Sequence, residues 1–334
     1  MIKKRIGVLT VVSLLMTVLA GCGSSAGQTD ITLMEAVHSI FYAPLYVAIE
    51  KGYFEEEGLK LKLTQGQGTD KTGSALLAGD CDMGLMGPEA SIYTYQEGTE
   101  DYIVNFAQLT QRAGDFLVSR DLSGQFDWDN ILGKTVIGGR ADSMPEMVFE
   151  YILKKNGINP KSDLNIVQNI GPGDIAEAFT LGKGDYALEF EPDATALELS
   201  GTGKIAVSLG EESGKVPYTV LGVRKSYLTR NPEVLRQVTN GLQKGLDFVL
   251  NHTPEETAKV IKPQFSDTDI DNLADILKGY YDRDTWKDTL VFEEDSFRLL
   301  QDIMEDAGVL TARVPYEDII TTEFAAKAAG TTTP

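Results

Sequence analysis

The chain has 334 residues, 50 acidic against 30 basic, with 42% apolar and 24% charged content, 33 Gly, 12 Pro, 2 Cys and 2 His. This is globular composition, long enough for two domains with real hydrophobic cores, and it excludes disordered and collagen-like chains. A net charge of −20 repels phosphate backbones, so nucleic acid is not expected as a partner.

Residues 1–21 read as an export signal: Lys3, Lys4 and Arg5 form the charged region, and Ile6 to Leu19 the short apolar one. The stretch Leu19-Ala20-Gly21-Cys22 resembles a bacterial lipobox, which implies removal of residues 1–21 and lipidation of Cys22. An uncleaved anchor is the alternative, but the apolar run is short for the ~20 residues of a spanning helix. Residues 22–29 then have linker composition and would tether a body lying outside the cytoplasm to the membrane. With Cys22 lipidated, Cys81 has no partner for a disulfide, and Gly79-Asp80-Cys81-Asp82-Met83 places it at a strand start as a small buried residue.

The body alternates apolar runs with helical patterns, as βα units on a mostly parallel sheet do. Ile31 to Glu35 reads as a strand, and Pro44 opens a helix to Lys51 that Gly52 stops. Leu59 to Thr64 is a second strand, followed by the loop Gln65-Gly66-Gln67-Gly68 and a helix from Asp70 to Ala78. Met83 to Met86 is a third strand, and Pro88 starts the next helix. After the run Tyr102 to Leu109, Phe116 to Ser119 reads as an extended crossing into a second βα lobe. Strands are expected there at Val136 to Gly138, Ile166 to Val167 and Tyr186 to Phe190. Helices are expected near Pro145 to Lys155, Asp174 to Leu181 and Pro192 to Leu199.

Thr219 to Val223 carries the chain back. The remainder is helical: Pro232 opens a helix with Val234, Leu235, Val238, Leu242, Leu246 and Val249 on one face. Thr253-Pro254-Glu255-Glu256 is a capping-box pattern. Further helices over Asp267 to Tyr281 and Asp295 to Ala307 are expected to pack on the first lobe. The divisions are therefore 30–114 with 222–328 for lobe one and 115–221 for lobe two, with 329–334 a disordered tail.

Several chemistries lack their residues. His38 and His252 stand far apart with no metal-site spacing around either, so no metal and no cofactor are expected. There is no GxSxG elbow, no GxxxxGK[ST] loop and no DxDxDG-type calcium loop. Acidic pairs such as Glu189 and Glu191 are too common in so acidic a chain to establish acid/base catalysis.

The run His38-Ser39-Ile40-Phe41-Tyr42-Ala43-Pro44-Leu45-Tyr46-Val47-Ala48-Ile49-Glu50-Lys51-Gly52-Tyr53-Phe54 resembles the opening of solute-binding lipoproteins that serve ABC importers for sulfonates, nitrate and thiamine-precursor pyrimidines. Ala75-Leu76-Leu77-Ala78-Gly79-Asp80-Cys81-Asp82-Met83-Gly84 extends the likeness. The resemblance implies an α/β type II periplasmic-binding-protein fold: two lobes, two hinge crossings, and a small ligand held between them before docking on a permease and its ATPase. It implies a binding protein rather than an enzyme, and a monomer is the default for such a receptor. Pyrimidine synthases and a menaquinone-pathway enzyme share the fold, but the export signal argues against both.

In open parallel sheets ligands sit beyond the carboxyl ends of strands. That rule selects His38, Ser39, Phe41 and Tyr42, then Gln67 and Gly68, then Gly87, Pro88 and Glu89 from lobe one. Lobe two offers Arg140, Asp142, Ser143, Met144, Gly171 and Pro172, with Glu189 and Glu191 nearby. Gln108 and Tyr218 lie near the hinge. Each has a structural alternative: a loop hydrogen bond for His38, core packing for Phe41 and Tyr42, helix-start carboxylates for Glu89 and Glu191, and a surface ion pair for Arg140. His38, Glu89, Asp142, Glu189 and Glu191 against one Arg140 disfavour an anion, because like charges repel in a closed cleft. A neutral or cationic heterocycle, with an aminopyrimidine foremost, fits that set better than a sulfonate or nitrate.

Overall fold

The computed structural model describes residues 27–330, so the expected signal peptide, Cys22 and residues 331–334 lie outside it. The first lobe opens with β1 (Thr29–Glu35), α1 (Ala43–Glu50), α2 (Tyr53–Glu56), β2 (Leu59–Gln65), α3 (Thr69–Ala78), β3 (Met83–Met86), α4 (Glu89–Gln96) and β4 (Ile103–Thr110). The chain then enters a second lobe through β5 (Asp115–Ser119), β6 (Thr135–Ile137), α5 (Met144–Lys155), β7 (Asn165–Val167), α6 (Ile175–Thr180), β8 (Tyr186–Phe190), α7 (Asp193–Leu199), β9 (Lys204–Ser208) and α8 (Leu209–Ser213). It returns on β10 (Thr219–Arg224). Seven helices follow: α9 (Lys225–Arg230), α10 (Pro232–Asn251), α11 (Pro254–Ile261), α12 (Ile270–Asp282), α13 (Glu294–Ala307), α14 (Tyr316–Ile319) and α15 (Glu323–Ala328).

Among the described residues there are two five-stranded sheets, ordered β2-β1-β3-β10-β4 and β7-β6-β8-β5-β9. In the first, β1 runs parallel to β2 and β3, and β10 antiparallel to β3 and β4. In the second, β6 runs parallel to β7 and β8, and β5 antiparallel to β8 and β9. β4 carries the chain toward the second lobe and β10 brings it back, so these neighbours run in opposite senses. This is the two-lobe type II fold.

Three boundaries differ from the sequence expectation. Thr219 pairs with Thr110 and Val220 with Met86, so residues 219–221 belong to the first lobe's sheet and not to the second lobe. The apolar run Thr219 to Val223 is continuous in sequence and carries no mark of where the lobe changes. Thr29 starts β1 instead of ending the linker, with its N–H bonded to Gly58 O at 2.9 Å. Ala329 and Gly330 close α15 through backbone bonds to Ala325 and Lys327, so the tail begins later than residue 329.

The C-terminal helices also divide differently. α10 packs on α1, α2 and α15, and α11 on α1, all in the first lobe. Gln108 N–H to Leu290 O (2.8 Å) and Lys287 N–H to Leu109 O (3.3 Å) pin the segment before α13 to β4. α13 itself leaves the first lobe and packs on α5 of the second. There Lys154 Nζ donates to Asp306 O at 2.6 Å and lies 3.0 Å from the Asp306 carboxylate.

α10 meets α1 through glycine. A Cβ on Gly245 would stand 2.2 Å from Pro44 O and 2.9 Å from Ala48 Cβ, and one on Gly241 2.7 Å from Phe54. On helix propensity alone Gly245→Ala would stabilise α10 by about 1 kcal/mol. Contact with a backbone oxygen reverses that sign, and the expected result is a loss of about 1–3 kcal/mol by urea unfolding.

Candidate functional site

A cavity of about 770 Å³ opens between the lobes, at the ends of strands β1, β2 and β3 on one side and β6, β7 and β8 on the other. Ordinary ligand pockets fall in this size range. Tyr42, Gly68, Gly87, Glu89, Arg140, Asp142, Ser143, Met144, Pro172 and Tyr218, all selected from sequence, line it. Thr69, Asp70, Tyr93, Asp115, Gln168, Ile175, Leu188, Phe190 and Thr219 line it as well and were not selected.

Glu89, at the start of α4, is 1% exposed. Its placement depends on the residue two before it, since a Cβ on Gly87 would lie 2.0 Å from Glu89 Oε2. Oε1 accepts the Met144 N–H at 3.2 Å, the first amide of α5 in the other lobe, and Oε2 has no partner. Burial pushes this carboxyl up to about 7, against the pull of its own N–H, of the Met144 N–H and of the nearby Thr69 hydroxyl, with Asp70 adding to the rise.

Asp115, the first residue of β5, is also 1% exposed. Tyr218 OH donates to its Oδ1 at 2.8 Å, and Oδ2 has no partner. Burial pushes it to about 7 as well, against the Tyr218 hydrogen bond. Two buried acids, one on each lobe, thus line one cavity, and each keeps one buried oxygen without a partner.

Aromatic rings supply the apolar walls. Tyr42, Tyr93, Phe190 and Tyr218 line the space, with Phe190 and Tyr218 centroids 6.4 Å apart. At the mouth Tyr93 OH donates to Asp142 O at 2.8 Å, and Asp142 holds a left-handed φ of 60°. Arg140 Nε lies 3.5 Å from Asp70 Oδ1, an ion-pair distance without hydrogen-bond geometry, so its charge is already matched within the protein.

The structure takes nine of the selected residues away from the cavity lining. His38 follows β1 but turns toward the C-terminal helices: Nδ1 lies 2.8 Å from Glu35 Oε1, Nε2 3.0 Å from Gln264 O, and the ring stacks on Phe265. Ser39 Oγ donates to Glu191 O at 2.6 Å and also caps the Phe41 N–H. Phe41 is fully buried behind the wall, against Phe190, Tyr218 and Tyr280. Gln67 points outward and accepts from Lys71 Nζ. Pro88 is the cap residue of α4, and Gly171 that of the short turn before α6.

Gln108 is buried in β4 and donates to Thr110 O. Glu189 pairs with Phe116 on the sheet face opposite Asp115 and Phe190, where burial and Asp193 raise its pKa. Glu191 is a helix-start carboxylate: Thr195 N and Thr195 Oγ1 both donate to it at 2.9 Å. Strand alternation was the usable signal, because Leu188 and Phe190 face the cavity while Glu189 between them cannot.

Among the described residues no group of three or more His, Cys, Asp or Glu is placed to hold a metal ion. Cys81 is buried, with its thiol pushed up to about 11 by burial and by Asp82 and Asp80.

A family model described as NMT1/THI5 like matches residues 40–257. YtlA of Bacillus subtilis (strain 168), whose name says binding protein and no more, is 42% identical over 94% of each chain. A second protein of that organism, named for binding aliphatic sulfonates, is 24% identical over 83% of this chain and 82% of its own. Among solved structures, the alkanesulfonate-binding protein SsuA of Xanthomonas axonopodis pv. citri bound to MOPS aligns with a TM-score of 0.72 at 16% identity. That alignment covers 89% of this chain and 99% of the other.

Linkage fixes the pH dependence of the two cavity acids. Their folded pKa values lie above the ordinary carboxylate range, so the folded state keeps protons that the unfolded chain releases as pH rises from about 4 to about 7. Stability therefore falls across that window and levels above it. Glu89→Gln and Asp115→Asn are each expected to flatten the fall by roughly 3 kcal/mol in urea titrations at pH 4 and 8, at about 1.4 kcal/mol per pKa unit. His38 has the same sign, since its hydrogen bond to Glu35 raises its pKa as well, but the state it stabilises is the charged one. Its contribution is present below about 6.5 and lost as pH rises through the folded value. His38→Asn should destabilise at pH 5.5 and be nearly silent at pH 9.

Proposed function

This chain belongs to the NMT1/THI5-like family, and we propose that it is a solute receptor, tethered outside the cytoplasm by a lipid on Cys22, that delivers a small organic ligand to an ABC permease and its ATPase. The carrying observation is the pair of buried carboxyls, Glu89 and Asp115, that line the cavity between the lobes and each keep one oxygen unpartnered. A buried acceptor without a donor costs on the order of 1–3 kcal/mol, more when charged. A ligand that supplies N–H groups to both removes that cost in the closed form alone.

This selects a ligand with N–H donors on two edges, flat enough to lie among Tyr42, Tyr93, Phe190 and Tyr218, and neutral or cationic. An aminopyrimidine or similar vitamin-like heterocycle has these properties. Asp70, Glu89, Glu97, Asp115 and Asp142 line the cavity against one lining cation, Arg140, which Asp70 already matches. A sulfonate or nitrate would therefore meet acidic oxygens with little positive charge to offset them.

Closure follows from differential binding. Met144 N–H to Glu89 and Tyr93 OH to Asp142 O join the lobes only when the cleft is shut, and a ligand contacting both acids favours that state. A receptor of this kind returns its ligand unchanged, which separates it from an exported enzyme on the same fold.

Thermal unfolding against aminopyrimidines, thiamine, flavins, alkanesulfonates and nitrate tests the reading. A cognate heterocycle at 100 times its Kd is expected to add about 2.7 kcal/mol of stability. Glu89→Gln and Asp115→Asn should each weaken that ligand by about 10- to 100-fold while remaining folded. Stabilisation by sulfonates or nitrate alone would overturn the choice of ligand.

A further inference from the structure

Residues 111–114 lead out to the second lobe and residues 214–218 lead back. These two crossings lie side by side: Val216 N–H donates to Gln111 O at 2.9 Å and Tyr218 N–H to Thr110 O at 3.4 Å. Asp115 is the first residue past the outgoing crossing, and Tyr218 is the last of the returning one. Their side chains meet at the cavity wall, where Tyr218 OH donates to Asp115 Oδ1 at 2.8 Å. Both are buried, and Asp115 Oδ2 is unpartnered. A single carboxyl therefore has one oxygen bonded across the hinge and the other buried without a partner.

We propose that Asp115 and Tyr218 form a clip across the hinge, and that the ligand sets the strength of this clip by occupying the free oxygen of Asp115. The proposal rests on the receptor reading above and adds how occupancy reaches the hinge. In the empty cleft, below about pH 7, burial favours the neutral carboxyl, whose proton then sits on Oδ2 while Oδ1 accepts from Tyr218. A ligand N–H at Oδ2 replaces that proton, which passes to the ligand when the ligand is a base and to solvent when it arrives as a cation. Oδ1 then belongs to a carboxylate, and hydrogen bonds to an ionised acceptor are about twice as strong as neutral ones. The crossings are drawn together by the ligand contact itself.

The surroundings preserve this arrangement. Glu189 and Tyr280 act electrostatically with Asp115, and Tyr42 and Glu89 with Tyr218, while the two cations of the crossings are engaged elsewhere, Arg112 with Gly210 O and Lys215 with Asp284. Beneath the clip Tyr280 OH donates to Gly114 O at 2.8 Å. A Cβ on Gly114 would lie 2.5 Å from the Phe41 ring, so the outgoing crossing is pressed onto the core and has little freedom to rearrange.

Amide hydrogen exchange on the full chain, resolved to the crossing peptides, tests the clip. Without ligand, Tyr218→Phe should speed exchange across residues 110–118 and 214–219 by about 5- to 10-fold, with β1 and β6 unchanged as the folding control. Asp115→Asn keeps an oxygen for Tyr218 and should leave the crossings protected. With 4-aminopyrimidine as probe, the wild-type crossings should gain protection and those of Asp115→Asn should not. Wild-type exchange rates in Tyr218→Phe would overturn the clip. A probe that raises the wild-type melting temperature without slowing the crossings would overturn its control by ligand. If the probe does not bind wild type, the ligand reading fails and takes that control with it, while the Tyr218→Phe comparison still decides whether the clip exists.

Discussion

Removing a carboxyl from water without satisfying both of its oxygens is among the more costly arrangements a fold can hold, and this molecule holds it twice in one cavity. Glu89 and Asp115 are reached from different directions, one at a helix start and one at the first residue of a strand, yet each satisfies a single oxygen with a donor across a moving boundary. For Glu89 the boundary is the mouth and the donor is the first amide of α5, at the positive end of that helix. For Asp115 it is the hinge. On the proposed closure, the unpartnered oxygens belong to the closed state, and so does whatever pairs with them.

The remaining architecture makes that closed state possible. Gly87 leaves room for Glu89 to fold back over its own turn, which no side chain there would permit. α5 is gripped at both ends by elements anchored in the first lobe: Glu89 and Tyr93 at its start, and α13 through Lys154 at its end. The segments on either side of α13 bond to β4, so α13 acts as a third, non-covalent connection beside the two crossings. Opening the cleft must move α5 against that helix, which restricts the lobes to a narrower set of paths than two crossings alone would leave.

Much of the fold was legible in the residues because its signals are local. Pro44, Gly52, Pro232 and the Thr253–Glu256 box act within one turn, and the structure shows each acting there. What was not legible depends on long-range pairing. Whether residues 219–221 close one lobe or open the other is a matter of which sheet supplies their hydrogen bonds, and either sheet accepts the same apolar run. β9 was missed for a related reason: Lys204 to Ser208 is a half-exposed edge strand with little hydrophobic pattern. The site was legible as loops but not as side chains. Loop position selected Glu89 and Tyr42, which line the cavity, and it also selected His38, which sits at the same end of the sheet and turns away from it.

Errors of side-chain placement need not carry through to the charge of the cavity. The sequence reading weighed His38, Glu189 and Glu191 beside Glu89 and Asp142, and three of those five do not line the cavity. Asp70, Glu97 and Asp115 line it in their place, and the balance stays acidic because the whole chain is acidic. Acidic composition alone, however, predicts solvated carboxylates at a rim and says nothing about ligands. Burial with one oxygen unpaired is shared by Glu89, Asp115 and Glu189, and only the first two also line the cavity, which packing alone determines. The proposed binding preference rests on those two oxygens, where a count of charges alone would argue only against an anion.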